Sequence, residues 1–154
     1  MKHSIKALLA SAAIATCLAG VAEARTLTIT TTLGRVSGRR PYVVVYITDP
    51  NGIVHDTVWV AGRKSRYLGH LRNWARSARN SKTRPSAVTG ASAGSGAVIR
   101  ARIDVADNLI AAGYQVRVDA AQENRGEYPN SAILTLNKQS AVRGRGVISS
   151  VEVQ

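Results

Sequence analysis

Polar and apolar residues first alternate regularly at Thr26 to Leu33 (TLTITTTL), where Leu27, Ile29, Thr31 and Leu33 share one side and threonines fill the other. A period of two predicts a strand with one buried face. Tyr42 to Thr48 (YVVVYIT) is an almost unbroken β-branched and aromatic run, which predicts a strand buried in part on both faces. Asp49-Pro50-Asn51-Gly52 then marks a turn, because Pro sets a negative φ and Asn-Gly accepts a positive one. Ile53 to Ala61 returns as the second arm of a hairpin. Strict alternation would put Val54, Asp56, Val58 and Val60 on one side and Ile53, His55, Thr57, Trp59 and Ala61 on the other.

From Ser65 to Arg79 the period changes. Tyr67, Leu71, Trp74 and Ala78 recur at helical spacing, with Leu68 and Ala75 beside them and Arg72, Arg76 and Arg79 opposite, so the segment predicts one amphipathic helix. Asn80 to Gly96 is a loop of small residues. Val98 to Ile103 predicts another strand, and Asp104 to Ala112 fits a single helical turn ending at Gly113. Tyr114 to Ala120 and Ser131 to Leu136 alternate again, and Val147 to Val153 closes the chain as a last strand. No internal repeat is present. Six or seven strands with one inserted helix predict a mainly β fold, an immunoglobulin-like β-sandwich, with a small barrel as its rival. The missing Cys…Trp…Cys pattern separates it from antibody-type domains.

The first 24 of the 154 residues stand outside that pattern. Lys2 and Lys6 precede an apolar run from Ala7 to Val21, and Ala22-Glu23-Ala24 supplies small residues at cleavage spacing. This is the composition of a secretory signal peptide cut after Ala24, leaving one sandwich domain over residues 25–154. The run is too short to span a bilayer and nothing after it resembles a span, so the expectation is a periplasmic protein with no integral membrane segment after cleavage. Removing the signal also removes Cys17, and with it disulfides, iron–sulfur clusters and thiol chemistry. Only His55 and His70 remain as histidines, so no metal site is expected.

Charge changes the picture most. The remaining chain holds 19 basic and 8 acidic residues, a net +11. Ten of the basic residues lie between Thr57 and Ile103 (Arg63, Lys64, Arg66, Arg72, Arg76, Arg79, Lys82, Arg84, Arg100 and Arg102), a stretch with no acid. Such a stretch predicts a one-sign patch that attracts anionic proteins, cofactor phosphate or an anionic membrane surface. Nucleic acid is not expected as a partner of an exported chain. Trp59, Trp74, Tyr67 and Tyr46 have the shape to stack on a planar ligand, although the helical stripe assigns Tyr67 and Trp74 to the core. Asp119, Glu123 and Glu127 form a local acidic group without an acid–base spacing.

Enzyme signatures fail on inspection. Gly90-Ala91-Ser92-Ala93-Gly94 fits G-x-S-x-G, but no histidine follows His70 and no buried strand leads into the serine. Gly94-x-Gly96 lacks the third glycine of a dinucleotide loop, since residue 99 is Ile, and no phosphate-loop lysine follows. No catalytic residue is assigned.

Ser86-Ala87-Val88-Thr89-Gly90-Ala91-Ser92 resembles the acceptor motif of substrates of bacterial FAD:protein FMN transferase, with Ser86 standing where the pattern has Asp. The resemblance implies Ser92 as the hydroxyl that receives FMN through a phosphoester, and Thr89, Gly90 and Ala91 as the residues recognised around it. A broader resemblance runs from about Thr26 to Leu136. Tyr42-Val43-Val44-Val45-Tyr46-Ile47, Trp59, Tyr67-Leu68, Leu71, Trp74, the Ala87 to Ser92 loop and Gly113 to Ala120 follow one another as in predicted periplasmic proteins of the DUF2271 type. That family is similar to sandwiches of the flagellar-hook-cap kind, and the resemblance implies flavin-based electron transfer outside the cytoplasm. The implied partners are the transferase and periplasmic or membrane redox proteins. The protein is thus expected to be a redox carrier rather than an enzyme with its own turnover. A cofactor-free binding or assembly module using the basic face is the alternative.

Overall fold

The computed structural model describes residues 23–62, 64–80, 92–136 and 139–154. The assigned signal peptide therefore lies almost wholly outside the described residues. Eight strands are seen among the described residues: β1 (Ala24–Leu33), β2 (Tyr42–Thr48), β3 (Val54–Ala61), β4 (Val98–Ala106), β5 (Gln115–Gln122), β6 (Gly126–Thr135), β7 (Ser140–Arg143) and β8 (Ile148–Val153). They form two antiparallel four-stranded sheets, one ordered β4-β1-β8-β7 and the other β3-β2-β5-β6. The protein is a mainly β sandwich, as its alternations predict. Alternate residues of the inner strands fill its interior: Leu27, Ile29 and Leu33 from β1, Val43, Val45 and Ile47 from β2, Val116, Val118 and Ala120 from β5, and Val151 and Val153 from β8.

The second face of β2 is buried too. All seven of its residues are buried, because Tyr42, Val44 and Tyr46 point away from the sandwich interior into a second cluster with Val54, Val60, Leu71 and Trp74. A helical segment covers that outer face. It is not the single helix that the spacing predicts: Ser65–His70 is a 3-10 helix, and α1 (Arg72–Asn80) follows after Leu71, whose φ and ψ of −82° and 66° break the helical path. Gly69 and His70 sit at this junction. Glycine is a poor helix former, and the tighter turn swings Leu71 under the sheet cluster, where it is 1% exposed.

Strand β3 departs from strict alternation. Its pairing with β2 shifts register twice, between Val45 and Tyr46 and between Ile47 and Thr48, leaving Val58 and His55 as extra residues. Each extra residue reverses the faces of the residues after it. Thr57 therefore pairs with Tyr46 on the helix side, where its Oγ1 accepts a 2.8 Å hydrogen bond from Trp74 Nε1, while Val58 turns into the sandwich interior. The expected grouping of Val54, Asp56, Val58 and Val60 on one side does not hold. The short α2 (Asp107–Ala111) is followed by Gly113 at φ +79°, as the pattern predicts, but Asp104 to Ala106 continue β4 instead of joining the helical turn. Strand β7 is an addition to the predicted elements; its four residues, SAVR, carry too short an alternation to register.

Candidate functional site

Several strand ends meet at one end of the sandwich. β1 stops at Leu33 beside Ile148 of β8, its neighbour Thr32 pairs with Val98 at the start of β4, and β2 starts at Tyr42 beside Ala121. The chain from Gly34 to Pro41 must cross from one sheet to the other there. It is held at both sides. On the first sheet, Gly34 N donates to Val147 O, Gly96 N to Gly34 O, and Val36 N to Ser95 Oγ, all at 2.9–3.0 Å. On the second, Gln122 Nε2 donates to the carbonyls of Ser37 and Arg39 at 2.8 and 2.7 Å.

Ser92 belongs to this end. It is partly exposed, next to Ala93, which is buried in the sandwich interior. Arg40 of the crossover donates from Nη1 to Ser92 Oγ at 2.9 Å. Thr89, Gly90 and Ala91, the other residues of the acceptor motif, lie outside the described residues, as does Ser86. Arg39, the preceding residue, reaches the other way and pairs with Glu123 Oε2 at 2.7 Å. Consecutive arginines of one crossover thus touch the serine hydroxyl and the turn after β5.

Beyond Glu123 lies a cleft of about 350 Å³, lined by Tyr42, Tyr67, His70 and the turn from Ala121 to Glu127. Tyr42 and Tyr67 pack with ring centroids 5.8 Å apart, and the Arg66 guanidinium sits 4.9 Å from the Tyr67 ring centre. Tyr42 donates from its hydroxyl to Glu123 Oε1 at 3.1 Å. Glu127 binds His70 Nδ1 at 3.0 Å and Arg72 Nε at 2.6 Å. The turn itself is tight: Asn124 and Gly126 have φ of +63° and +124°. A Cβ on Gly62 would press into the Tyr42 ring, so that position keeps the ring seated.

Burial pushes the Tyr42 hydroxyl above its ordinary range, and the Glu123 carboxylate beside it adds to the rise. Partial desolvation acts upward on Glu123 as well, but the Tyr42 hydroxyl bond and the Arg39 charge outweigh it and hold that carboxyl below the usual range.

The remaining sequence candidates are distributed differently. Asp119 is not part of an acidic surface; at 1% exposure it accepts hydrogen bonds from Tyr46 Oη at 3.0 Å, Asn130 N at 2.8 Å and Trp74 N at 3.1 Å. Tyr46 and Trp74 are buried there, and Trp59 packs on the sandwich interior, so of the four rings with a shape for stacking only Tyr67 borders the cleft. Tyr42 joins it from the start of a strand that reads as core. The basic stretch also divides. Arg72 and Arg76 are exposed on α1 over one sheet, while Arg100 and Arg102 project from β4 on the outer face of the other. A run free of acids in sequence meets Glu127 in space, through His70 and Arg72. Among the described residues no group of three or more His, Cys, Asp or Glu is placed to hold a metal.

Fold and site together define a small two-sheet β-sandwich that gathers a serine hydroxyl, arginines and an aromatic cleft at one end. The chain belongs to the DUF2271 family, described as predicted periplasmic protein, whose profile matches residues 24–150. That description agrees with the periplasmic location expected of the chain. Among the described residues no helix is long and apolar enough to cross a membrane. No curated protein and no solved structure matches the chain.

Proposed function

We propose that this protein is a periplasmic electron carrier whose FMN is attached to Ser92. The observation that carries the reading is the Arg40 guanidinium 2.9 Å from Ser92 Oγ. In the transfer reaction Ser92 Oγ attacks the FMN phosphorus of FAD, AMP leaves, and the hydroxyl proton passes to solvent. The new phosphodiester carries one negative charge on its non-bridging oxygens, beside the serine Oγ, and a guanidinium already there would hold it through charge-assisted hydrogen bonds. Ser92 is also partly exposed, as a substrate of another enzyme must be. The bound flavin supplies one- or two-electron transfer, and the covalent tether keeps it from diffusing away. The chain's own part is to hold the phosphate, position the ring and present a charged surface to redox partners.

Intact mass and visible absorbance test this directly, with the mature protein produced beside an active FAD:protein FMN transferase. The wild type gains one FMN, mapped to Ser92, and is yellow. Ser92→Ala stays colourless and unmodified while unfolding at the same urea concentration. A wild type without added mass beside a working transferase overturns the reading and leaves the cofactor-free binding module in its place.

A further inference from the structure

We propose that the cleft between Tyr42, Tyr67 and the turn from Gln122 to Glu127 seats the isoalloxazine ring of the flavin, while Arg40 holds its phosphate. This rests on Ser92 as the attachment point. Three features of the molecule argue for it.

Position comes first. The crossover between the sheets contacts both places, Arg40 at Ser92 and Arg39 at Glu123, and Tyr42 comes two residues later. Two residues of extended chain keep the Arg40 and Tyr42 backbones within ~7 Å of each other, so one short crossover carries both the contact to Ser92 and a wall of the cleft.

Size and shape come second. At about 350 Å³ the cleft lies at the lower end of the roughly 300–1,000 Å³ usual for ligand sites. That is room for a tricyclic ring without its ribityl phosphate. Its wall offers two tyrosine rings, and polar atoms from His70, Glu123, Arg125 and Glu127 surround them. A flat heteroaromatic ring needs this combination: apolar contact on its face and hydrogen-bonding groups along its edge.

Charge comes third, and it sets the direction. Glu123 and Glu127 line the cleft and hold the Arg39 and Arg72 guanidiniums, so those two cations are already engaged, whereas Arg40 stands at the Ser92 hydroxyl. The oxidised ring is uncharged and needs no cation. Placing the phosphate at Arg40 and the ring in the cleft therefore suits both ends.

Two measurements test the proposal, one with and one without the covalent link. In protein carrying FMN on Ser92, confirmed by mass, flavin fluorescence is expected to be quenched by the tyrosines and its anisotropy to match tumbling of the whole protein. Tyr67→Ala should brighten the flavin and lower its anisotropy with the FMN still on Ser92. The second measurement titrates free riboflavin into unmodified Ser92→Ala protein. Saturable binding is expected, weakened about tenfold by Tyr67→Ala, as loss of one aromatic contact predicts, and retained by Tyr67→Phe.

If FMN is present on Ser92 but is as bright and mobile as free FMN, and riboflavin does not bind, the cleft is not the seat and only the attachment reading survives. If Ser92 is never modified yet riboflavin binds in a Tyr67-dependent way, the attachment reading fails and the ring site stands. Riboflavin binding equally well to the wild type and to Tyr67→Ala overturns the cleft whatever the state of Ser92.

Discussion

Tyr42 and Glu123 share one hydrogen bond, yet their contributions to stability fade at opposite ends of the pH scale. Desolvation pushes the Glu123 carboxyl up, but the Tyr42 hydroxyl and Arg39 more than reverse it and hold the group below its ordinary range. Its contribution is therefore complete above the usual carboxylate range and is lost as pH falls through the lowered folded value. Tyr42 is raised by burial and by Glu123, so its contribution is complete below the usual tyrosine range and is lost as pH rises through the raised value. Urea midpoints measured across pH should show the gap between wild type and Glu123→Gln closing in acid. The gap for Tyr42→Phe should close in alkali. Gaps that keep the same size from acid to alkali would mean that this pair does not tune either group. Neither pairing can be read from the chain, because residues 42 and 123 are brought together by the register of β2 on β5.

The helical segment shows how one buried residue can position a whole element. Asp119 accepts from the backbone N of Trp74 in the first turn of α1, from the Tyr46 hydroxyl and from the backbone N of Asn130 in β6. A carboxylate there satisfies an orphan N–H and faces the positive end of the helix dipole. Burial and the neighbouring carboxylate push the Tyr46 hydroxyl far above its ordinary range, so it stays protonated and keeps donating. Asp119→Ala leaves three donors unsatisfied and is expected to lose about 3 kcal/mol or more in urea unfolding. Asp119→Asn keeps one acceptor and should lose less. If Asp119→Ala unfolds at the wild-type midpoint, α1 is held by Leu71 and Trp74 packing alone. Helical spacing places Leu71 and Trp74 toward the sheet, as they are found, but Gly69 and His70 lie where the chain tightens into a 3-10 helix. Periodicity counts apolar positions over a window, so it cannot register one junction residue with non-helical angles.

At the scale of the molecule, a net charge of +11 after signal removal should dominate encounters with small redox partners. Reduced, FMN-loaded protein is expected to pass electrons to anionic ferricyanide faster at low salt, with the rate falling as ionic strength rises and the Debye length shrinks. A cationic oxidant should show the opposite trend in stopped-flow measurements. A ferricyanide rate indifferent to salt would mean that the carboxylates lining the cleft, Glu123 and Glu127, cancel the long-range field. The field is not that of a single patch. Arg72 and Arg76 stand over one sheet and Arg100 and Arg102 over the other, so the attraction is spread around the sandwich and partly neutralised at Arg39 and Arg72.

Features that depend on neighbours along the chain were legible in the order of residues alone. Alternation and β-branched runs defined β1, β2, β4, β5 and β8 to within a few residues, the Asp49 to Gly52 turn placed the first hairpin, and Gly113 followed α2 with a positive φ. Local steric preference and the period of burial are short-range properties, and a string of residue types carries them in full. Tertiary structure decided the features that depend on register between distant strands. The two extra residues in β3 exchanged Thr57 for Val58 beneath the helix, and the folding of eight strands divided a continuous basic stretch between two faces. The same packing carried Asp119 into the interior, set Arg40 against Ser92, and built a cleft from Tyr42, Tyr67 and a turn some eighty residues further on than Tyr42. Such contacts form only when the apolar faces of both sheets close on one core, since that closure fixes which strand ends share one end of the sandwich.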